Sequence, residues 1–130
     1  MPSSEIQMYY EKLALEVNAA ASGLTVVKPA AIAGASGIDQ KFTSVAADGP
    51  TSYAFDVYPE VTEKEVLKTY IKKLDTGAET YIVCLQGKST PEAARLAREY
   101  GIDLLGPGNV GDFFSAKITQ QLRALKRQLA

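Results

Sequence analysis

The chain has 130 residues, 46 % of them hydrophobic and 22 % charged, a length and composition that fit one soluble globular domain able to bury roughly two-thirds of its unfolded surface without staples. Fourteen basic and fifteen acidic residues nearly cancel, so bulk charge does not mark a nucleic-acid binder, and any basic surface must come from local clustering. The absence of histidine excludes His-based triads and imidazole zinc sites, and the single Cys84 excludes an internal disulfide and a structural zinc. No apolar run reaches membrane-span length and no signal-peptide pattern opens the chain, which points to a cytoplasmic protein.

Ser4-x-x-Gln7 has the form of a capping box opening a first helix. Ile6, Tyr9 or Tyr10, Leu13, Val17 and Ala20 repeat at helical spacing and are the expected buried face, with Gly23 as the stop. Glu16 lies beside that stripe and faces either a site or water. Leu24 to Lys28 is a short strand ended by Pro29, and the small-residue stretch Ala30 to Gly37 reads as a loop. Its glycines match neither the Walker A nor the dinucleotide-binding spacing.

Residues Gly37 to Tyr58 are expected to form two adjacent strands joined by a tight turn at Asp48-Gly49-Pro50. Each carries a carboxylate, Asp39 and Asp56. In the second strand Tyr53, Phe55 and Val57 alternate with Ala54, Asp56 and Tyr58. A carboxylate in a buried strand needs a partner, a metal or a solvent-filled cleft, because desolvation without compensation costs several kcal/mol on an order-of-magnitude scale. Two acids from adjacent strands can supply oxygen ligands to a divalent cation. The plainer alternative is that Asp39 caps a turn and Asp56 lies on an exposed edge.

Thr62-x-x-Glu65 is a capping box and Val61 can staple onto Val66. Val66, Leu67, Tyr70, Ile71 and Leu74 are the expected buried face of that helix. Lys64, Lys68 and Lys72 recur every four residues along another face, with Lys73 beside them. They form either a solvated face or a phosphate-contacting stripe. Tyr81 to Leu85 is a continuous apolar strand, in which Cys84 is a small buried hydrophobe. Thr90 caps and Pro91 opens the next helix, with Ala93, Ala94, Leu96, Ala97 and Tyr100 inward. Ile102 to Leu105 follows as a strand parallel to the previous one. Asp112 caps a last helix to about Gln128, in which Phe114, Ile118, Leu122, Leu125 and Leu129 keep the spacing of a heptad seam. Lys117, Arg123, Lys126 and Arg127 follow Asp112 with no further acid, as suits a helix C-terminus or a basic contact surface.

The order of elements and three stretches resemble the restriction-endonuclease-like, PD-(D/E)xK, superfamily, above all Mrr-type nucleases and, more loosely, archaeal Holliday junction resolvases. Gly37-Ile-Asp39 is similar to the Gly-x-Asp of that group, and Tyr53-Ala-Phe-Asp56-Val-Tyr58 to the strand that there ends in an acid or Gln, any residue, and Lys. Tyr81 to Leu105, with Lys88-Ser-Thr-Pro-Glu-Ala-Ala and Tyr100-Gly-Ile-Asp-Leu-Leu, is similar to its C-terminal unit. The likeness spans residues 5 to 114.

It implies an α/β single domain with a central mixed sheet flanked by helices. The expected division is a core over 1–114 and a C-terminal amphipathic helix over 115–130 that makes a homodimer or binds a partner protein. It also implies Mg²⁺ or Mn²⁺ on Asp39 and Asp56, with Glu16 standing for a first-helix acid. Tyr58 occupies the place of the motif lysine, and a phenol carries no cation. The expectation is therefore a nucleic-acid-binding or scaffolding protein impaired in catalysis. The alternatives are a metal-dependent nuclease using Asp39, Asp56 and a relocated Lys41, Lys64 or Lys68, and an unrelated α/β small-ligand protein.

Overall fold

A computed structural model describes residues 4–86 and 89–106. The expected last helix with its heptad seam, the division at 114/115, and Lys88 lie outside these residues. Ten elements follow in order: α1 (Ser4–Ala21), β1 (Thr25–Val26), β2 (Ala31–Ala33), β3 (Asp39–Lys41), β4 (Ser44–Asp48), β5 (Thr51–Tyr58), α2 (Glu63–Thr76), β6 (Glu79–Cys84), α3 (Pro91–Glu99) and β7 (Asp103–Leu105). The central sheet is mixed and runs β1-β4-β5-β6-β7, with β2 and β3 forming a separate two-stranded sheet. β1, β4 and β5 pair antiparallel, whereas β5, β6 and β7 are parallel, the last two joined through α3. Among the described residues no helix is long and apolar enough to cross a membrane.

The turn between β4 and β5 forms as the sequence predicts. Gly49 has φ +60°, and with Pro50 it makes a two-residue loop of the kind that matches strand twist. The alternation in β5 divides the core. Phe55 and Val57 join Leu15 and Ala19 of α1, Ala46 and Val83 on one face of the sheet. On the other face, Val61, Val66, Ile82, Cys84, Ala93 and Ala97 pack between β6 and the α2–α3 pair. Beside them Phe42, Val45 and Ala54 pack with Ala78 and receive Ile32 of the hairpin. Asp56 lies on this second face, at the seam between the hairpin and α2.

The first expected strand of the Gly37–Tyr58 unit is broken. Residues 42 and 43 interrupt it, so Asp39 belongs to β3, which pairs with β2 and not with β5. The stretch read as a loop after Ala30 supplies β2. The face of α1 is turned from the expected one, and that of α2 in part, since Val66 and Tyr70 do pack on the core. In α1 the buried residues are Leu15 and Ala19, while Ile6, Tyr9, Tyr10, Leu13 and Val17 are exposed. In α2, Val66 and Thr69 are buried, while Leu67, Ile71 and Leu74 are 42 %, 63 % and 65 % exposed. The start of α2 does match: the Glu65 carboxylate accepts from the Thr62 backbone N–H and hydroxyl at 3.2 and 3.1 Å, and Val61 and Val66 bury together. At the start of α3 the Thr90 hydroxyl accepts from Ala93 N–H at 3.1 Å, with Pro91 in the first turn.

The rotation of α2 sets an order of mutational costs. Leu67→Gln, Ile71→Gln and Leu74→Gln should each change stability by no more than about 0.5 kcal/mol. Val66→Ala should cost about 2 kcal/mol in urea denaturation. The reverse order would place the helix in the rotation that its apolar stripe alone dictates.

Candidate functional site

Asp56 is 4 % exposed in the middle of β5, and its Oδ2 is a point of convergence. The Lys72 ammonium lies 2.6 Å from it, the Thr69 hydroxyl donates to it at 2.7 Å, and the Tyr58 hydroxyl lies at 3.4 Å. Thr69 and Lys72 are three residues apart on α2 and so share the face that meets β5. The same ammonium donates to the Lys41 carbonyl at 2.8 Å and stands 4.5 Å from the centre of the Phe42 ring. The cation thus has a carboxylate, a carbonyl and a π face around it, the partners that a largely desolvated ammonium requires.

Tyr58 is held by its hydroxyl contact with Thr69 at 3.2 Å. Burial, and then the Asp56 charge, push its phenol up to about 12. It stays protonated at neutral pH and supplies a neutral hydrogen bond, not a charge.

A second cluster lies one turn further along α2. The Asp75 carboxylate accepts from the Ser36 N–H at 2.8 Å, the Ser36 hydroxyl at 2.7 Å and the Gln40 amide at 2.8 Å. The Gln40 and Ser36 hydrogen bonds hold its pKa below the ordinary carboxylate value. The Asp75 main-chain carbonyl accepts from Ala35 N–H at 2.8 Å.

The residues expected from sequence are distributed differently. Asp39 and Lys41 share the exposed face of β3, on either side of the half-buried Gln40 that reaches Asp75. Lys41 serves the site through its carbonyl, not its ammonium. Glu16 lies on the α1 side of the sheet, 3.9 Å from Lys12 and 3.5 Å from Lys28, in a cavity of about 270 Å³ that also includes Ser44. Lys64 and Lys68 are exposed on α2, whereas Lys72 is turned inward. Of the expected set, the side chains of Asp56 and Lys72 are brought into contact, and Lys41 joins them through its main-chain carbonyl.

The three carboxylates expected to hold a divalent cation are not brought together. Asp56 already faces an ammonium, Asp39 is on the outer face of the hairpin, and Glu16 is on the other side of the sheet. Among the described residues no group of three His, Cys, Asp or Glu side chains is arranged to hold a metal. Thr69, Asp75, Ser36 and Gln40 were not singled out by sequence. A signal for part of this set exists: Glu65, Thr69, Lys72 and Thr76 form a polar line at helical spacing on the side of α2 away from Leu67, Ile71 and Leu74.

No family model and no curated protein matches the chain. Among solved structures, the crystal structure of AF1548, a protein of unknown function, superposes with a TM-score of 0.61 at 20 % identity. The match covers 77 % of this chain and 58 % of AF1548. The likeness is one of fold. It supports the mixed α/β architecture and says nothing of activity.

Two outcomes test the site. Lys72→Met leaves a buried carboxylate without its counter-charge and should cost about 3 kcal/mol or more in urea denaturation. The double variant Asp56→Val, Lys72→Met should recover most of that loss, since an apolar pair needs no compensation. In a spectrophotometric titration, Tyr58 and Tyr81 should ionise late, both raised first by burial, and Tyr58→Phe should remove one late step. Folded Tyr58 holds its proton above its unfolded pKa, so its contribution to stability is complete below about 10 and is lost as pH rises towards about 12.

Proposed function

We propose that this chain is a non-cleaving protein built on a nuclease-like fold, which binds nucleic acid through the exposed side of α2. The observation that carries the loss of cleavage is the Lys72 ammonium on Asp56. At that carboxylate a metal-dependent nuclease would place its divalent ion, and here a side-chain cation holds the position. Tyr58, where related nucleases carry lysine, is neutral. Charge stabilisation is often the largest catalytic term, so a site without metal access and without a free cation loses orders of magnitude in rate.

Binding is assigned to Lys64 and Lys68, which are exposed one turn apart and free of ion pairs among the described residues. Their contacts would be to phosphate, so affinity would depend on salt and little on sequence. A second reading has one observation in its favour: Lys72 reaches the acid from α2, as a relocated catalytic lysine would. In that case the chain would be a metal-dependent nuclease using Asp56 and Lys72.

The deciding experiment combines cleavage and binding on labelled single-stranded, duplex and branched DNA and on RNA. With Mg²⁺ or Mn²⁺ the native chain should cleave none of them. It should bind more weakly as salt rises, and Lys64→Ala with Lys68→Ala should reduce the salt slope by about 2. Metal-dependent cleavage lost in both Asp56→Asn and Lys72→Met would establish the second reading. No binding at low salt would remove the nucleic-acid assignment.

A further inference from the structure

We propose that the β2–β3 hairpin is a strap that opens independently of the central sheet, that Asp75 seats it, and that its seating governs access to the Asp56–Lys72 pair. The strap goes beyond the function proposed above: it concerns the Asp56–Lys72 pair and not the Lys64 and Lys68 surface to which binding is assigned. Its test involves neither nucleic acid nor cleavage, so the two can fail separately.

The hairpin has little apolar hold on the molecule. No residue from 31 to 41 is buried. β2 and β3 pair with each other and with no strand of the central sheet. Ile32 is the hairpin residue that packs on a core cluster, and it is only half buried. An isolated two-stranded sheet is marginal in water, and segments with few buried apolar contacts open at low free-energy cost.

Two positions on α2, one turn apart, hold the hairpin instead. Asp75 gathers the connection between the strands and the middle of β3: its carboxylate accepts from Ser36 twice and from Gln40, and its carbonyl accepts from Ala35. Lys72 holds the end of β3 through the Lys41 carbonyl. Gly34 is pressed against the Asp75 carboxylate so closely that a Cβ there would collide with it and approach the Ile38 carbonyl to 2.9 Å. Only glycine allows this seating.

The strap and the ion pair are therefore mechanically joined. Lys72 bridges Asp56 on the sheet and Lys41 on the hairpin. When residues 31–41 lift, the ammonium loses its carbonyl partner and gains water, while Thr69 and Lys72 remain on the core. Asp39, carried on β3, moves with the strap. Closure removes the pair from solvent, and release of Asp75 exposes it.

Hydrogen exchange on the full chain, read by mass spectrometry, tests this. In the native protein the amides of 31–41 should exchange faster than those of β5 and β6. In Asp75→Ala they should exchange about tenfold faster again or more, because three hydrogen bonds to a carboxylate are lost, with β5 and β6 unchanged. Gly34→Ala should act in the same direction by steric displacement, and Asp75→Asn should fall between. Acetylation of Lys72 by acetic anhydride should accelerate in Asp75→Ala, with Lys64 and Lys68 constant as internal references. Unchanged hairpin exchange in Asp75→Ala, or exchange of β5 and β6 in step with the hairpin in the native chain, would overturn the proposal.

Discussion

One buried carboxylate dictates how the second face of the sheet is covered. Asp56 lies mid-strand in β5, 4 % exposed, with Ile82 of β6 beside it in register. Left alone, such a charge costs several kcal/mol on an order-of-magnitude scale. Thr69 and Lys72 supply the compensation, and to do so α2 must turn that face inward. Leu67, Ile71 and Leu74 are turned out in consequence. Each forfeits at most about 1.5–3 kcal/mol of burial, and only in part, since Leu67 is itself 42 % exposed and not fully solvated. An uncompensated ion in the sheet is the larger single penalty, and its satisfaction sets the helix rotation.

This competition explains where the sequence is legible. Elements governed by one local rule follow directly from it: the Gly49-Pro50 turn, the alternation of Tyr53, Phe55 and Val57, the Thr62–Glu65 start of α2, the Thr90-Pro91 start of α3, and the apolar run that becomes β6. Faces chosen by a distant partner do not. The stripe Leu67, Ile71, Leu74 is the more hydrophobic face of α2, yet the partner at Asp56 selects another. In α1 the contact with the sheet goes through Leu15 and Ala19, and the larger Tyr9, Leu13 and Val17 are exposed. β2 was hidden because Ala31, Ile32 and Ala33 are too short and too small to give a strand period, and a strand pairing only with its neighbour needs little more.

The candidate site was half legible for the same reason. Asp56 stands out as a charge within an apolar strand, and the need for a counter-charge follows from desolvation alone. Which lysine answers it does not. Lys41 is near in sequence and in space, but β-strand alternation puts Gln40 inward and Lys41 outward. Lys72 belongs to a series with Lys64 and Lys68 that looks uniform in sequence. Helical geometry separates the members, because Lys72 shares its face with Thr69 and the other two do not. Asp39, expected on a strand adjacent to Asp56, is placed on the hairpin by the break at residues 42 and 43.

The position of Asp56 also bears on the order in which the chain can fold. Among the described residues, the groups that compensate its charge, from Tyr58 and Thr69 to the Lys72 ammonium seated on the Lys41 carbonyl, are contained in residues 41 to 72. β6, which closes over Asp56 from its parallel side, begins only at Glu79. During synthesis from the N-terminus the counter-charge therefore becomes available before the strand that removes the carboxylate from water. A nascent chain need never bury this charge alone.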